Sequence, residues 1–136
     1  MDRNYRQSSL HNNSAELYDG TSFRYYGDVL NPELSNLRIA TLAIGFPLWR
    51  NNAINVIYHH FQQNHASNVL RNTLLDAAPA GNHSEIGREF SLIAGLTRWQ
   101  PLSIELIAAQ FRAGKAFGPE KGQTASRMML ELSYGF

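Results

Sequence analysis

The last nine residues of the chain alternate between apolar and polar side chains, and this period of two limits the possible folds most. Glu131, Ser133 and Gly135 occupy the odd positions after Met129. The even positions hold large apolar side chains: Met128, Leu130, Leu132, Tyr134 and Phe136. Successive side chains of a strand point to opposite faces, whereas a helix would scatter these residues around its circumference. The pattern therefore predicts a β-strand with one apolar face.

The same alternation recurs in four earlier segments of the chain. In one of them Leu102, Ile104 and Leu106 occupy every second position, with polar residues between them. The period predicts five strands, at about 37–48, 53–61, 88–98, 102–111 and 126–136. The sequence leaves open a sixth, short strand near residues 23–26.

The connections between these strands differ in length in a regular way. The turns near residues 50 and 100 are short, whereas residues 62–87 and 112–125 form long polar loops. Residues 1–36 are predicted as a polar extracellular loop that leads into the first strand. Short turns would therefore lie at one end of the sheet and long loops at the other.

This asymmetry is typical of transmembrane β-barrels, whose strands of about ten residues carry an outward apolar band. Lipid offers no hydrogen-bond partners, so backbone groups must pair between strands and side chains facing lipid must be apolar. Trp49 and Trp99 lie at the short turns, where they would form an aromatic girdle at a membrane interface. The predicted fold is all-β, an antiparallel meander of amphipathic transmembrane strands. Bacterial barrels begin at about eight strands, so the predicted strands would be part of a larger outer-membrane β-barrel, completed by the rest of a longer chain or by another chain. Its inner face is expected to be small and polar.

A second fold accounts for the same period. A soluble antiparallel sandwich or small barrel would turn the apolar face inward, and could bind a small hydrophobic ligand there. In that fold Leu42, Ile44, Leu106 and Leu130 would pack against one another. In the membrane fold the apolar side chains would face outward instead.

Composition excludes several other classes. The chain has 12 Lys and Arg against 11 Asp and Glu, which gives a net charge of +1, too balanced for a nucleic-acid surface. The absence of Cys removes disulfide frameworks and cysteine nucleophiles. The first residues lack the apolar run of a secretory signal, which agrees with a segment of a longer barrel.

Two resemblances add to this interpretation. The residues from Met128 to Phe136 resemble the C-terminal signature that the barrel assembly machinery of bacterial outer membranes reads. The segments 5–8, 34–37, 58–61 and 111–118, in this order, resemble the C-terminal portion of the alginate-export family of outer-membrane β-barrel proteins. The resemblance implies a large monomeric barrel of about eighteen strands in the outer membrane of Gram-negative bacteria. Such a barrel would export an anionic, alginate-like polysaccharide by passive diffusion.

The resemblance implies four partners: outer-membrane lipid, the remaining strands of the parent barrel, the barrel assembly machinery and an anionic polysaccharide. A conduit for a polyanion is expected to place cations along its path. The candidates for the lumen or the substrate path are Arg127, Arg112, Lys115, Arg38, Asn55, Glu105 and Glu131. Arg38 also falls on the outward phase of its strand, where it could contact lipid phosphate.

No catalytic constellation, metal site or cofactor is predicted, and the chain is not expected to be an enzyme. His59 and His60 are adjacent in a predicted strand, so they point to opposite faces and do not readily share an ion. Glu105 and Glu131 could be neighbours inside the lumen, but no nucleophile accompanies them, so they are interpreted as solvated wall residues.

Overall fold

The computed structural model describes residues 14–16, 22–24, 26–49, 52–99 and 101–135. These residues form strands β1 (Ser14–Glu16), β2 (Ser22–Arg24), β3 (Leu37–Pro47), β4 (Ala53–Gln63), β5 (Glu85–Trp99), β6 (Leu102–Ala113) and β7 (Thr124–Tyr134). A short 3-10 segment, Lys115–Glu120, lies between β6 and β7. No helix in the described residues has the length and apolar character needed to cross a membrane.

The five long strands form one sheet in which each strand pairs with its neighbour in sequence. The order is β3-β4-β5-β6-β7, and all four pairings are antiparallel. β1 and β2 form a separate antiparallel pair. The predicted all-β antiparallel meander is confirmed.

The two ends of this sheet differ as the sequence predicts. At one end, β3 connects to β4 and β5 to β6 through turns of only a few residues. At the other end, residues 64–84 and 114–123 form long connections. We refer to the two ends as the short-turn end and the long-loop end.

One face of the sheet carries large apolar side chains that remain exposed, and we call it the outer face. Leu42, Leu130 and Leu132 are each 61% exposed on this face. The soluble alternative required Leu42 and Leu130 to pack together in a closed interior, and the structure does not bury them. The apolar stripe instead faces outward, as the membrane interpretation predicts.

The opposite face, here called the inner face, is largely covered at the long-loop end. An apolar cluster, the rim cluster, forms where the loops fold over β4, β5 and β6. Its buried members are Val29, Leu30, Phe61, Ile86, Ala109, Phe111, Ala116 and Phe117. Nearer the centre of the inner face, Ile57, Ile93 and Ile107 form a second buried cluster with Met129 packed against it. The expectation of a uniformly small and polar inner face was therefore wrong in part, because two apolar clusters interrupt it.

Candidate functional site

A buried polar site lies on the inner face, where Glu89 of β5 holds residues 26–30, the docked segment. The backbone N–H groups of Val29 and Leu30 donate to the Glu89 carboxylate at 3.0 and 2.9 Å, and the N–H of Asp28 also donates to it. Glu89 is 1% exposed, and about sixty residues separate it from these donors in sequence. Hydrogen bonds to a charged acceptor are stronger than neutral ones, and a buried carboxylate requires such partners. The segment and the carboxylate therefore satisfy each other.

Gly27 allows the segment to approach Glu89 this closely. Its φ of 89° lies in the left-handed region, which side chains rarely adopt. A Cβ atom at this position would lie 2.7 Å from Glu89 Oε2. Both the turn and the close approach thus favour glycine here.

Asp28 and Arg127 extend the site towards β7. The Arg127 guanidinium donates to the backbone carbonyl of Asp28 at 3.0 Å. The Asp28 side chain is buried, and its Oδ2 has no hydrogen-bond partner among the described residues. Burial raises the pKa of Asp28 above its usual 3.8, while the Ser91 hydroxyl and the charges of Arg24 and Arg127 act in the opposite direction.

Apolar contacts fasten the same segment. Val29 and Leu30 belong to the rim cluster, beside the Phe61 and Phe111 rings, whose centroids are 6.2 Å apart. The Leu30 carbonyl accepts a hydrogen bond from the N–H of Leu74 in the long connection at 3.2 Å. The docked segment is therefore held by one carboxylate, one guanidinium and an apolar cluster.

His59 lies beside Glu89 on β4, as its Cα partner in the sheet. Its imidazole Nδ1 is 2.9 Å from Thr41 Oγ1, and its Nε2 is buried without a partner among the described residues. Thr41, His59 and Glu89 thus form a polar row across three neighbouring strands of the inner face.

Acidic residues also lie at the short-turn end of the inner face. Glu105 and Glu131 are Cα partners on β6 and β7, and Gly95 of β5 is the next residue in the same row. Glu105 is half-buried and Glu131 exposed. One row further along, Asn55 is buried with its Oδ1 against β3, since a Cβ atom at Gly45 would lie 2.7 Å from it.

Comparison with known proteins assigns this sheet to a family. A model of the family described as alginate export matches residues 1–131. The chain belongs to the alginate-export family. The alginate production protein AlgE of Pseudomonas aeruginosa is 24% identical over 148 aligned residues, which cover 97% of this chain and 30% of that relative. The chain thus spans less than a third of the relative's length, and the resemblance seen in the sequence is confirmed at the level of the family.

The basic candidates for the path of an alginate-export protein lie in different places. Arg127 is half-buried on the inner face and contacts the docked segment. Arg38 and Arg112 are exposed at even positions of β3 and β6, which point to the outer face. Lys115 lies in the long-loop region, with its Nζ 3.7 Å from Glu85 Oε2.

The apolar and aromatic candidates that the structure describes lie along the outer face and at a short turn. Met128, Leu130, Leu132 and Tyr134 are exposed at every second position of β7. Trp49 is 67% exposed next to a short turn. Phe136 and the side chain of Trp99 lie outside the described residues.

Sequence reasoning missed Glu89, Gly27 and Asp28, which form the centre of the site. The sequence carried only a weak signal for this site. Glu89 is a single carboxylate at an inward position of β5, and Ser91 occupies the next inward position. Within the described residues, no group of three or more His, Asp or Glu side chains is arranged to hold a metal ion.

Proposed function

We propose that this chain forms part of the wall of an outer-membrane channel through which an anionic, alginate-like polysaccharide leaves the cell. The observation that carries the proposal is the contrast between the two faces of one sheet. The outer face exposes Leu42, Leu130 and Leu132, while the inner face carries charged groups and a docked segment. A wall that faces lipid requires exposed apolar side chains, and a polar conduit uses charged groups on its inner side.

The edges of the sheet indicate how the wall continues. Among the described residues, β3 and β7 each have one partner strand, so one edge of each of these eleven-residue strands is unpaired. Unpaired backbone groups are costly in lipid, and only closed barrels avoid them. We therefore propose that further strands pair with both edges to close a larger barrel.

The orientation follows from the loop lengths. Outer-membrane barrels have short periplasmic turns and longer extracellular loops, so the long-loop end, with residues 1–36, would face the cell exterior. The alternate apolar residues of β7, with Phe136, would be the element that the barrel assembly machinery reads during insertion. Trp49 and Trp99 would lie at the periplasmic interface.

The docked segment would narrow the path at the extracellular side, and passage would be passive. Asn55, Glu105 and Glu131 would border the periplasmic part of the path, Arg127 the constriction, and Lys115 the exit. The inner face described here carries more acids than cations. A polyanion would therefore have to meet most of its cations on the strands that complete the barrel.

Two matched substitutions in the full-length gene product test the membrane wall. Leu106→Lys places a charge on the outer face of β6, whereas Ser103→Lys places the same charge on the inner face of the same strand. We expect the first to destabilise the barrel in lipid by about 2–4 kcal/mol and the second to have little effect. Heat-modifiable migration on gels and folding yield in detergent micelles measure the difference. Equal tolerance of both substitutions, or a wild type that stays monomeric without detergent, would contradict the proposal.

The substrate class is tested separately, by ion currents through the protein in a planar bilayer. We expect a polyuronate added on the short-turn side to block the current, and a neutral dextran of similar length not to block it. Block by both polymers would reject selection for the anion while leaving the channel itself intact.

A further inference from the structure

A row of basic side chains crosses the outer face at the long-loop end of the sheet. Arg88 of β5 is the Cα partner of Arg112 on β6 and of His60 on β4. Both arginines are exposed. Arg38 of β3 is exposed on the same face, but it lies one row nearer the long loops, opposite Gln62. We call Arg38, Arg88 and Arg112 the rim arginines.

Arg88 and Arg112 lie directly opposite each other, an arrangement that an anion between them would stabilise. Directly opposed residues of antiparallel strands have Cβ atoms about 5 Å apart, and like charges there repel each other. Within the described part of the chain neither Arg88 nor Arg112 forms an ion pair. Glu89 points to the inner face, and Glu85 pairs with Lys115 instead. Two forked guanidinium groups at this spacing can clamp one phosphate.

The surface next to Arg88 and Arg112, on the side towards the short turns, suits an acyl chain. An open groove runs over the outer face of β5, β6 and β7, with Ala108 in its floor. Phe90 and Leu92 border it on one side, and Met128 borders it on the other. Phe90 and Gln110, which are Cα partners, form the first row below Arg88 and Arg112. The cationic row and the apolar groove are therefore continuous.

The opposite end of the outer face has a different character. Its described side chains near the short turns are apolar or aromatic, among them Phe46, Leu96 and Tyr134. Among the described side chains of the outer face, the arginines thus lie at the end that, under the proposed function, faces the outer leaflet. A free phosphate in solution would need no adjoining apolar groove, whereas a phosphorylated lipid would use both features.

We propose that the rim arginines and this groove form a binding site for a phosphorylated glycolipid of the outer leaflet. Arg88 and Arg112 clamp a phosphate of its headgroup, Arg38 adds charge at the flank, and an acyl chain lies over Ala108. The inference rests on the proposed function, because it requires the outer face to contact lipid.

The test compares glycolipid binding by wild type and by the double variant Arg88→Gln/Arg112→Gln of the full-length gene product. Native mass spectrometry in detergent would count bound diphosphorylated lipid A per protein. We expect the double variant to bind about tenfold less, since charge-assisted hydrogen bonds to the phosphate are lost. Arg88→Lys/Arg112→Lys should bind at an intermediate level, because it keeps the charge and loses the fork.

Control variants and ligands show whether the loss of lipid A binding comes from the lost phosphate contacts or from a general loss of positive charge. Arg71→Gln/Lys121→Gln removes the same charge from exposed loop positions and should bind like wild type. Dephosphorylated lipid A should bind wild type as weakly as it binds the double variant, and inorganic phosphate should compete poorly. Equal lipid A binding by wild type and the double variant would overturn the inference, as would an equal loss in the loop control. Heat-modifiable migration of all variants would show that the barrel is intact, so such a result would leave the proposed function standing.

Discussion

The inner face carries two acidic regions that the fold treats differently. Near the long loops, Glu89 and Asp28 are buried beneath a docked segment, and Glu89 accepts hydrogen bonds from three backbone N–H groups. Near the short turns, Glu105 and Glu131 face each other across two strands and retain contact with solvent. The carboxylate chemistry is the same in both regions. What covers each carboxylate decides whether it organises structure or, under the proposed function, borders the path.

Removing one acid from each region should give the largest difference in the stability of the docked segment. Glu89→Ala leaves the N–H groups of Asp28, Val29 and Leu30 without their acceptor, and an orphaned buried donor costs about 1–3 kcal/mol. We expect the docked segment to lose at least about 3 kcal/mol, which corresponds to about a hundredfold faster amide exchange. Hydrogen exchange followed by mass spectrometry of the peptide containing residues 26–30 measures this change. Glu131→Ala should leave that exchange unchanged, and equal exchange in both variants would mean that Glu89 does not hold the segment.

Gly27→Ala should also act only in the covered acidic region, where we expect it to destabilise the docked segment by about 1–3 kcal/mol. The new methyl group would strain the backbone at a φ of 89° and meet the Glu89 carboxylate. Gly135→Ala is the matched control, because a Cβ atom there meets nothing within 4 Å. The same exchange measurement applies, and protection of residues 26–30 in Gly27→Ala equal to that of wild type would show that the close approach is dispensable.

The strands could be predicted from the sequence because each alternates locally, as Leu102, Ile104 and Leu106 do. The first residue of β5 could not be predicted from the alternation of apolar and polar side chains. Pairing with β4 shifts register between Phe61 and Gln62, and Ile86 lies in the rim cluster although Arg88, two residues on, points outward. A bulge of this kind breaks the alternation on which the prediction depends.

The candidate site was harder to predict for a different reason. Within residues 26–30, Gly27 and Asp28 are common turn residues that predict no tertiary contact, and the contacts of this segment with Glu89 and Arg127 span from 59 to 99 residues. Alternation assigns a side chain to a face of the sheet, but it carries no information about which loop folds back over that face. The separation of Glu105 from Glu89 into open and covered regions therefore became visible only in three dimensions.

The smallest expected effect concerns the pH dependence of docking, which depends in part on Asp28. Burial raises the pKa of this carboxyl above 3.8, so docking favours its protonated form. The corresponding stabilisation is complete below the undocked pKa and is lost as the pH rises through the raised, docked pKa. Asp28→Asn removes this penalty, and we expect exchange in residues 26–30 to slow a few-fold near neutral pH and to vary less with pH. Exchange corrected for its intrinsic rate, in wild type and Asp28→Asn from about pH 4 to pH 8, measures the difference. Faster exchange in the variant near neutral pH would mean that attraction to Arg127 and Arg24 outweighs the cost of burying the charge, and the two acidic regions would then differ less than their burial suggests.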